Sequence, residues 1–223
     1  MGETTRRVTL TFDNGPSSET TPRVLDVLAE RDLFAWFCVV GNRVSEPGGA
    51  ALVARTLSEG HQIVNHSMSH HTPLGDEPTI EHAQLEIVEA ERLLSETVGD
   101  WGPRWYRPFG RGGQLGPHVF SPAALDVFAE REYSVLLWNS VPRDWVDTSG
   151  WVETALADVD ARDHTVVVIH DLPTGAMAHL TRFLDELAER EVLITLDPAP
   201  DCVPIRNGVP QFELDDLTAN STH

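Results

Sequence analysis

Polar residues that close apolar runs carry the chemistry legible in this chain. Val8, Leu10 and Phe12 alternate with threonines, and the run breaks at Asp13-Asn14 with Gly15-Pro16 directly behind. A second run ends at His66, with His70 four residues on, and a third ends at His170. On a helical turn, imidazoles four residues apart face one side, as a divalent cation requires. Asn14 adds a third donor through its amide oxygen. Two nitrogens and one oxygen leave positions open for water and substrate, the pattern of a catalytic rather than a structural ion. The nitrogen-rich set favours zinc or a neighbouring transition metal over calcium or magnesium. With no charged ligand in the set, the ion is expected to bind weakly. Asp13 and His170 then suit an acid–base pair: the carboxylate accepts a proton from water, and the imidazole protonates a leaving amine. Taken singly, Asp-Asn-Gly-Pro is also ordinary turn material, and a strand-terminal histidine is more often structural. Convergence of several such ends on one place separates the two readings.

The elements that must position these residues follow from periodicity. Apolar runs at Val8–Asp13, Ala35–Val40, Gln62–His66, Arg104–Phe109, Ser134–Asn139, Thr165–His170 and Val192–Leu196 read as strands. Between them lie helical patterns at Thr21–Asp32, Gly48–Gly60, Thr79–Val98, Ser121–Arg131, Trp151–Arg162 and Gly175–Arg190. Strand–helix alternation predicts an α/β fold with a parallel sheet covered by helices. Seven such strands suggest a distorted (β/α) barrel of seven or eight strands, with an open doubly wound sheet as the alternative. No linker or repeat divides residues 1–223, so one domain is expected, with its core at about 8–197 and an irregular polar tail. In a parallel barrel the strand ends share one mouth. That mouth would gather Asp13, Asn14, His66, the run Arg107-Pro108-Phe109-Gly110, the pair Asp144-Trp145 and His170. Of the tryptophans, Trp145 is the expected wall of an acyl pocket, and Trp105 and Trp151 are expected in the core.

The composition narrows the partners. The net charge is −19, and all 16 basic residues are arginine. Such a surface argues against non-specific nucleic-acid binding and against docking on anionic lipid. No apolar run is long enough for a membrane span, and no signal-peptide core follows Met1, so a cytoplasmic location is expected. Cys38 and Cys202 lack metal-site spacing, and Cys38 reads as a small buried hydrophobe.

With the motifs assembled, the chain resembles the NodB-type polysaccharide deacetylases, carbohydrate esterase family four. Thr11-Phe12-Asp13-Asn14-Gly15-Pro16 matches the family's T-F-D-D-G-P, and His66-Ser67-Met68-Ser69-His70 its H-S/T-x-x-H. Asp144-Trp145 matches D-W, and Val168-Ile169-His170 matches L-x-H. The resemblance implies a metal-dependent hydrolase that removes an acetyl group from an N-acetylated sugar or related amide. It implies Asp13 as general base, His170 as general acid, Asn14, His66 and His70 as metal site, and the Phe109 backbone N–H as oxyanion donor. Two other readings are carried forward: an intracellular hydrolase of small amides or cyclic imides, and a non-catalytic carbohydrate-binding relative. Three departures stand out. Asn14 replaces the second aspartate of the first motif. Tyr106 stands at the motif arginine position, with Arg107 one residue late and expected on the opposite strand face unless a bulge intervenes. Val141 stands where the family has an aspartate that pairs with that arginine. Arg107, Arg111 and Arg143 are thus the candidates for tuning Asp13.

Overall fold

The computed structural model describes residues 5–220. Strands and helices alternate through most of it: β1 (Arg7–Gly15), α1 (Thr21–Ala29), β2 (Trp36–Val39), a short α2 (Gly41–Val44), α3 (Gly49–Ser58) and β3 (Gln62–Asn65). There follow α4 (Ile80–Ala83), a π-helical stretch Gln84–Glu89, α5 (Ala90–Val98), β4 (Trp105–Tyr106), α6 (Pro122–Glu130) and β5 (Ser134–Val135). The chain then runs through α7 (Trp151–Asp160), β6 (His164–His170), α8 (Leu180–Glu189), β7 (Leu193–Ile194) and the hairpin β8 (Ile205–Arg206) and β9 (Val209–Pro210).

The sheet order is β6-β1-β2-β3-β4-β5-β8-β9, with β7 pairing the start of β1. The strands from β6 to β5 pair in parallel, as the strand–helix alternation requires. A parallel bridge between Ser140 and Val167 links the segment after β5 back to β6, so the sheet curls round on itself. β1 is central and buried on both faces (Val8, Leu10 and Phe12 on one, Thr9 and Thr11 on the other, all 0% exposed), as expected of a strand packed between a barrel interior and covering helices. The helices bury one stripe each: Val24, Leu25 and Leu28 from α1, and Leu180, Phe183, Leu184 and Leu187 from α8. Each such leucine contributes about 1.5–3 kcal/mol through burial.

Two expectations are corrected here. The tail is not wholly irregular. Asn207 and Gly208 both have positive φ (48° and 78°), and they turn the chain between β8 and β9, which extends the sheet antiparallel to β5. The fourth and fifth strands are only two residues long in the ladder, because the chain leaves it at Arg107 and Leu136 to build the mouth.

Candidate active site

Register does the first part of the positioning. On β1, Asp13 pairs with His170 of β6 on one side and with Cys38 of β2 on the other. Parallel partners point to the same face, so carboxylate, imidazole and thiol come together at the carboxyl end of the sheet. β1 is irregular between Asp13 and Gly15, and Asn14 takes a left-handed φ of 72°. That turns the amide over the mouth instead of away from it. Gly15 is required by a close approach: a Cβ there would lie 2.4 Å from both carboxylate oxygens of Asp171.

His66 and His70 come together differently from the expectation. Residues 66–71 form a loop and not a helical turn. Ser67 (φ 70°) and His70 (φ 56°) are both left-handed, and the loop folds back until the two rings lie 4.8 Å apart. The Ser67 hydroxyl accepts the His70 backbone N–H at 2.9 Å, and Asn65 Oδ1 accepts the Ser67 N–H at 3.1 Å. Phe109 stacks on His70 at 4.0 Å between ring centroids and meets His66 edge-on.

His66 Nδ1 donates to the Arg107 carbonyl at 2.7 Å. Burial holds this imidazole below its ordinary pKa, against the pull of Asp13, so the ring is neutral and Nε2 carries a lone pair. That lone pair faces Asn14 Oδ1 at 3.0 Å. With the amide oxygen turned to that lone pair, the 3.0 Å separation suits two neighbouring ligands bonded at about 2.0–2.2 Å to one ion. Burial, then the neighbouring His66, push His70 down to about 3, so it too presents a neutral ring. Among the described residues no three His, Cys, Asp or Glu side chains form a metal cluster. The donor set that fits an ion is two histidines and an amide.

Arg107 corrects a second expectation. Tyr106 packs outward against Phe128 and Tyr133, so the next residue turns inward. The assumption that residue 106 faced the interior was the mistaken step. The Arg107 side chain is fully buried, its Nη1 lies 3.3 Å and 3.5 Å from the two Asp13 oxygens, and its guanidinium carbon sits 5.5 Å from the centre of the Trp138 ring. Arg111 pairs with Asp76 at the rim, and Arg143 lies over Trp145, so neither neutralises Asp13. Burial pushes the Asp13 carboxyl up. Arg107, His66, His170 and the Cys38 thiol outweigh it and hold the carboxyl below its ordinary value.

Asp144 is fully buried behind His170 rather than on the cavity wall. One oxygen accepts the His170 backbone N–H at 3.0 Å, and the other accepts Nδ1–H at 2.8 Å. Burial alone would lower the His170 pKa. The hydrogen bond and charge of Asp144, with Asp13 and Asp171, raise it above its usual value. Trp145 meets His170 edge-on at 5.0 Å and is 37% exposed.

One cavity of about 590 Å³ is lined by Asp13, Asn14, His66, His70, Phe109, Trp145 and His170, with Trp138, Val141 and Leu172 completing an apolar wall. Its size is that of a small-molecule site. Arg107 and Asp144 support it from beneath. His71 also lines it. Trp105 and Trp151 are core residues, as expected. The sequence reading missed Cys38 as a neighbour of Asp13, although its place in β2 opposite Asp13 follows once the strands are aligned. It also missed Asp171, whose carboxylate accepts the Thr21 hydroxyl and leaves Oδ1 without a partner.

The chain is similar in sequence and fold to known polysaccharide deacetylases and esterases. The family model described as polysaccharide deacetylase matches residues 2–114. The peptidoglycan-N-acetylglucosamine deacetylase PgdA of Listeria monocytogenes is 28% identical over 197 residues, which is 87% of this chain and 39% of that protein. The chain thus spans well under half of that relative's length. A chitooligosaccharide deacetylase of Bradyrhizobium is 32% identical over 170 residues, 75% of this chain and 71% of the relative. The solved structure of a family 4 acetyl xylan esterase from Clostridium thermocellum, in complex with a cobalt ion, superposes with a TM-score of 0.66 at 26% identity, over 85% of this chain and 87% of that one.

Proposed function

Since the chain belongs to the polysaccharide deacetylase family, we propose that it hydrolyses the acetyl group from an N-acetylated amino sugar with the help of a divalent metal, zinc by preference of its donors. One observation carries this reading: Asp13 and His170 are register partners on adjacent strands, and the His66–His70–Asn14 donor set opens into the same cavity. The relatives' names supply the substrate class, which is N-acetylglucosamine in peptidoglycan or in chitooligosaccharides.

Asn14, His66 and His70 would hold the ion, which when bound polarises the acetyl carbonyl and makes water more acidic. Asp13, kept ionised by Arg107, takes the proton of the attacking water. The backbone N–H of Phe109 donates to the oxygen as its negative charge develops. His170 delivers its proton to the departing amine. Asp144 fixes the ring so that Nε2 faces the cavity and favours the charged form until transfer. Trp145, Trp138 and Val141 form the dry wall on which the acetyl methyl and the sugar face rest.

The presence of both acid and base speaks against a purely binding role, and no relative named above acts on a cyclic imide. Among the described residues no helix is long and apolar enough to cross a membrane. The test is acetate release from chitooligosaccharides and from peptidoglycan fragments, with zinc or cobalt supplied. Asp13→Ala and His170→Ala should each lose about a hundredfold or more in kcat with the fold retained. Turnover that survives in either variant would remove that residue from the mechanism. Absence of acetate release by the wild type on every acetylated sugar would overturn the proposal.

A further inference from the structure

The helical region that follows the histidine loop buries two carboxylates on its inner side, Glu86 and Glu91. Glu86 belongs to the π-helical stretch Gln84–Glu89, where the wider turn changes which residues face inward. Its two oxygens are both used on a single residue. Oε1 accepts the Ser69 hydroxyl at 2.6 Å, and Oε2 accepts the Ser69 backbone N–H at 2.9 Å. Ser69 lies between His66 and His70. The next residue in the π stretch contributes as well, since the Ile87 carbonyl accepts Asn65 Nδ2 at 2.8 Å. Asn65 in turn fixes Ser67. One distorted stretch of helix therefore grips the loop at both ends.

The loop needs such a grip. Left-handed backbone at Ser67 and at His70 is uncommon for residues with a Cβ and persists where surrounding contacts over-determine it. On its far side the Ser67 and Met68 carbonyls accept the Gly41 and Asn42 N–H groups at 3.0 Å and 2.8 Å. Without the carboxylate the Ser69 end has no comparable hold, and a histidine displaced by an ångström ceases to be a good ligand.

We infer that Glu86 is a positioning residue for the metal centre: through Ser69 it fixes His70 relative to His66 and so sets metal affinity. This rests on the metal-site reading above. The experiment is calorimetric zinc titration of the metal-free wild type, Glu86→Met, Ser69→Ala and Leu94→Ala. Leu94→Ala is a control that loosens the same helical region at another buried site. Glu86→Met keeps the side-chain length, removes both acceptors and should weaken zinc binding by about 10–100-fold. Ser69→Ala, which keeps the backbone hydrogen bond, should weaken it by less. The control should stay near wild type even where its thermal unfolding falls as far as that of Glu86→Met. Unchanged affinity in Glu86→Met, or an equal loss in the control, overturns the inference alone. A wild type that binds no zinc overturns the metal-site reading with it.

Discussion

The stability of an Asp171→Asn variant relative to wild type should rise with pH. Asp171 is fully buried beside Gly15, its carboxylate accepts the Thr21 hydroxyl, and its other oxygen has no partner. No arginine reaches it among the hydrogen bonds and ion pairs of the described residues. Burial therefore dominates and lifts its pKa from 3.8 to about 6. A carboxyl with a raised folded pKa binds its proton more tightly in the native state, so stability falls as pH rises from the unfolded value through the folded one. The full penalty, reached above both values, is about 3 kcal/mol. Between pH 4.5 and 7.5 the same relation gives about 2 kcal/mol. Asparagine keeps the acceptor for Thr21 and never ionises. It leaves one buried N–H pair without a partner, which costs about 1–3 kcal/mol at any pH. Urea unfolding of wild type and Asp171→Asn at both pH values isolates the titration, because the constant cost cancels in the difference. The variant should gain about 2 kcal/mol on wild type between the two conditions. A stability difference that does not change with pH would refute the reasoning and place a cation or an ordered proton donor beside Asp171.

Other outcomes follow from the same geometry. The active form of His170 is protonated and its pKa is raised chiefly against burial by Asp144, so activity should fall as pH rises through that pKa; Asp144→Asn should move this alkaline limb to lower pH in a kcat–pH profile. Arg107→Met removes the counter-ion of a buried carboxylate and should cost about 3–5 kcal/mol in denaturant unfolding, together with most of the activity. Asn14→Asp should tighten zinc binding about tenfold or more by calorimetry without a matching gain in rate, since extra negative charge makes the ion a weaker electrophile.

Much of this was legible in the sequence, for reasons that can be traced residue by residue. The strands around Phe12, Val64 and Val168 are legible because each carries a short buried apolar run, alternating with threonine in the first and continuous in the last, and their polar ends mark the mouth. What escaped was governed by contacts distant in sequence. The inward turn of Arg107 depends on Tyr106 packing against Phe128 and Tyr133. The histidine loop depends on the carboxylate of Glu86, and no spacing rule ties residue 86 to residue 69. Asp144, expected at the mouth with Trp145, serves His170 from behind because both its oxygens are taken there. The C-terminal hairpin did leave a local signal, Asn207-Gly208 between two short runs, which passed for tail.

The central claim is that Asn14, His66 and His70 form one metal centre beside Asp13 and His170. Anomalous scattering from a crystal soaked in zinc tests it directly. A single strong peak within bonding distance of His66 Nε2, an imidazole nitrogen of His70 and Asn14 Oδ1 is expected. No peak in that cavity, or one bound instead at His71 and Asp76 on the rim, would contradict the account.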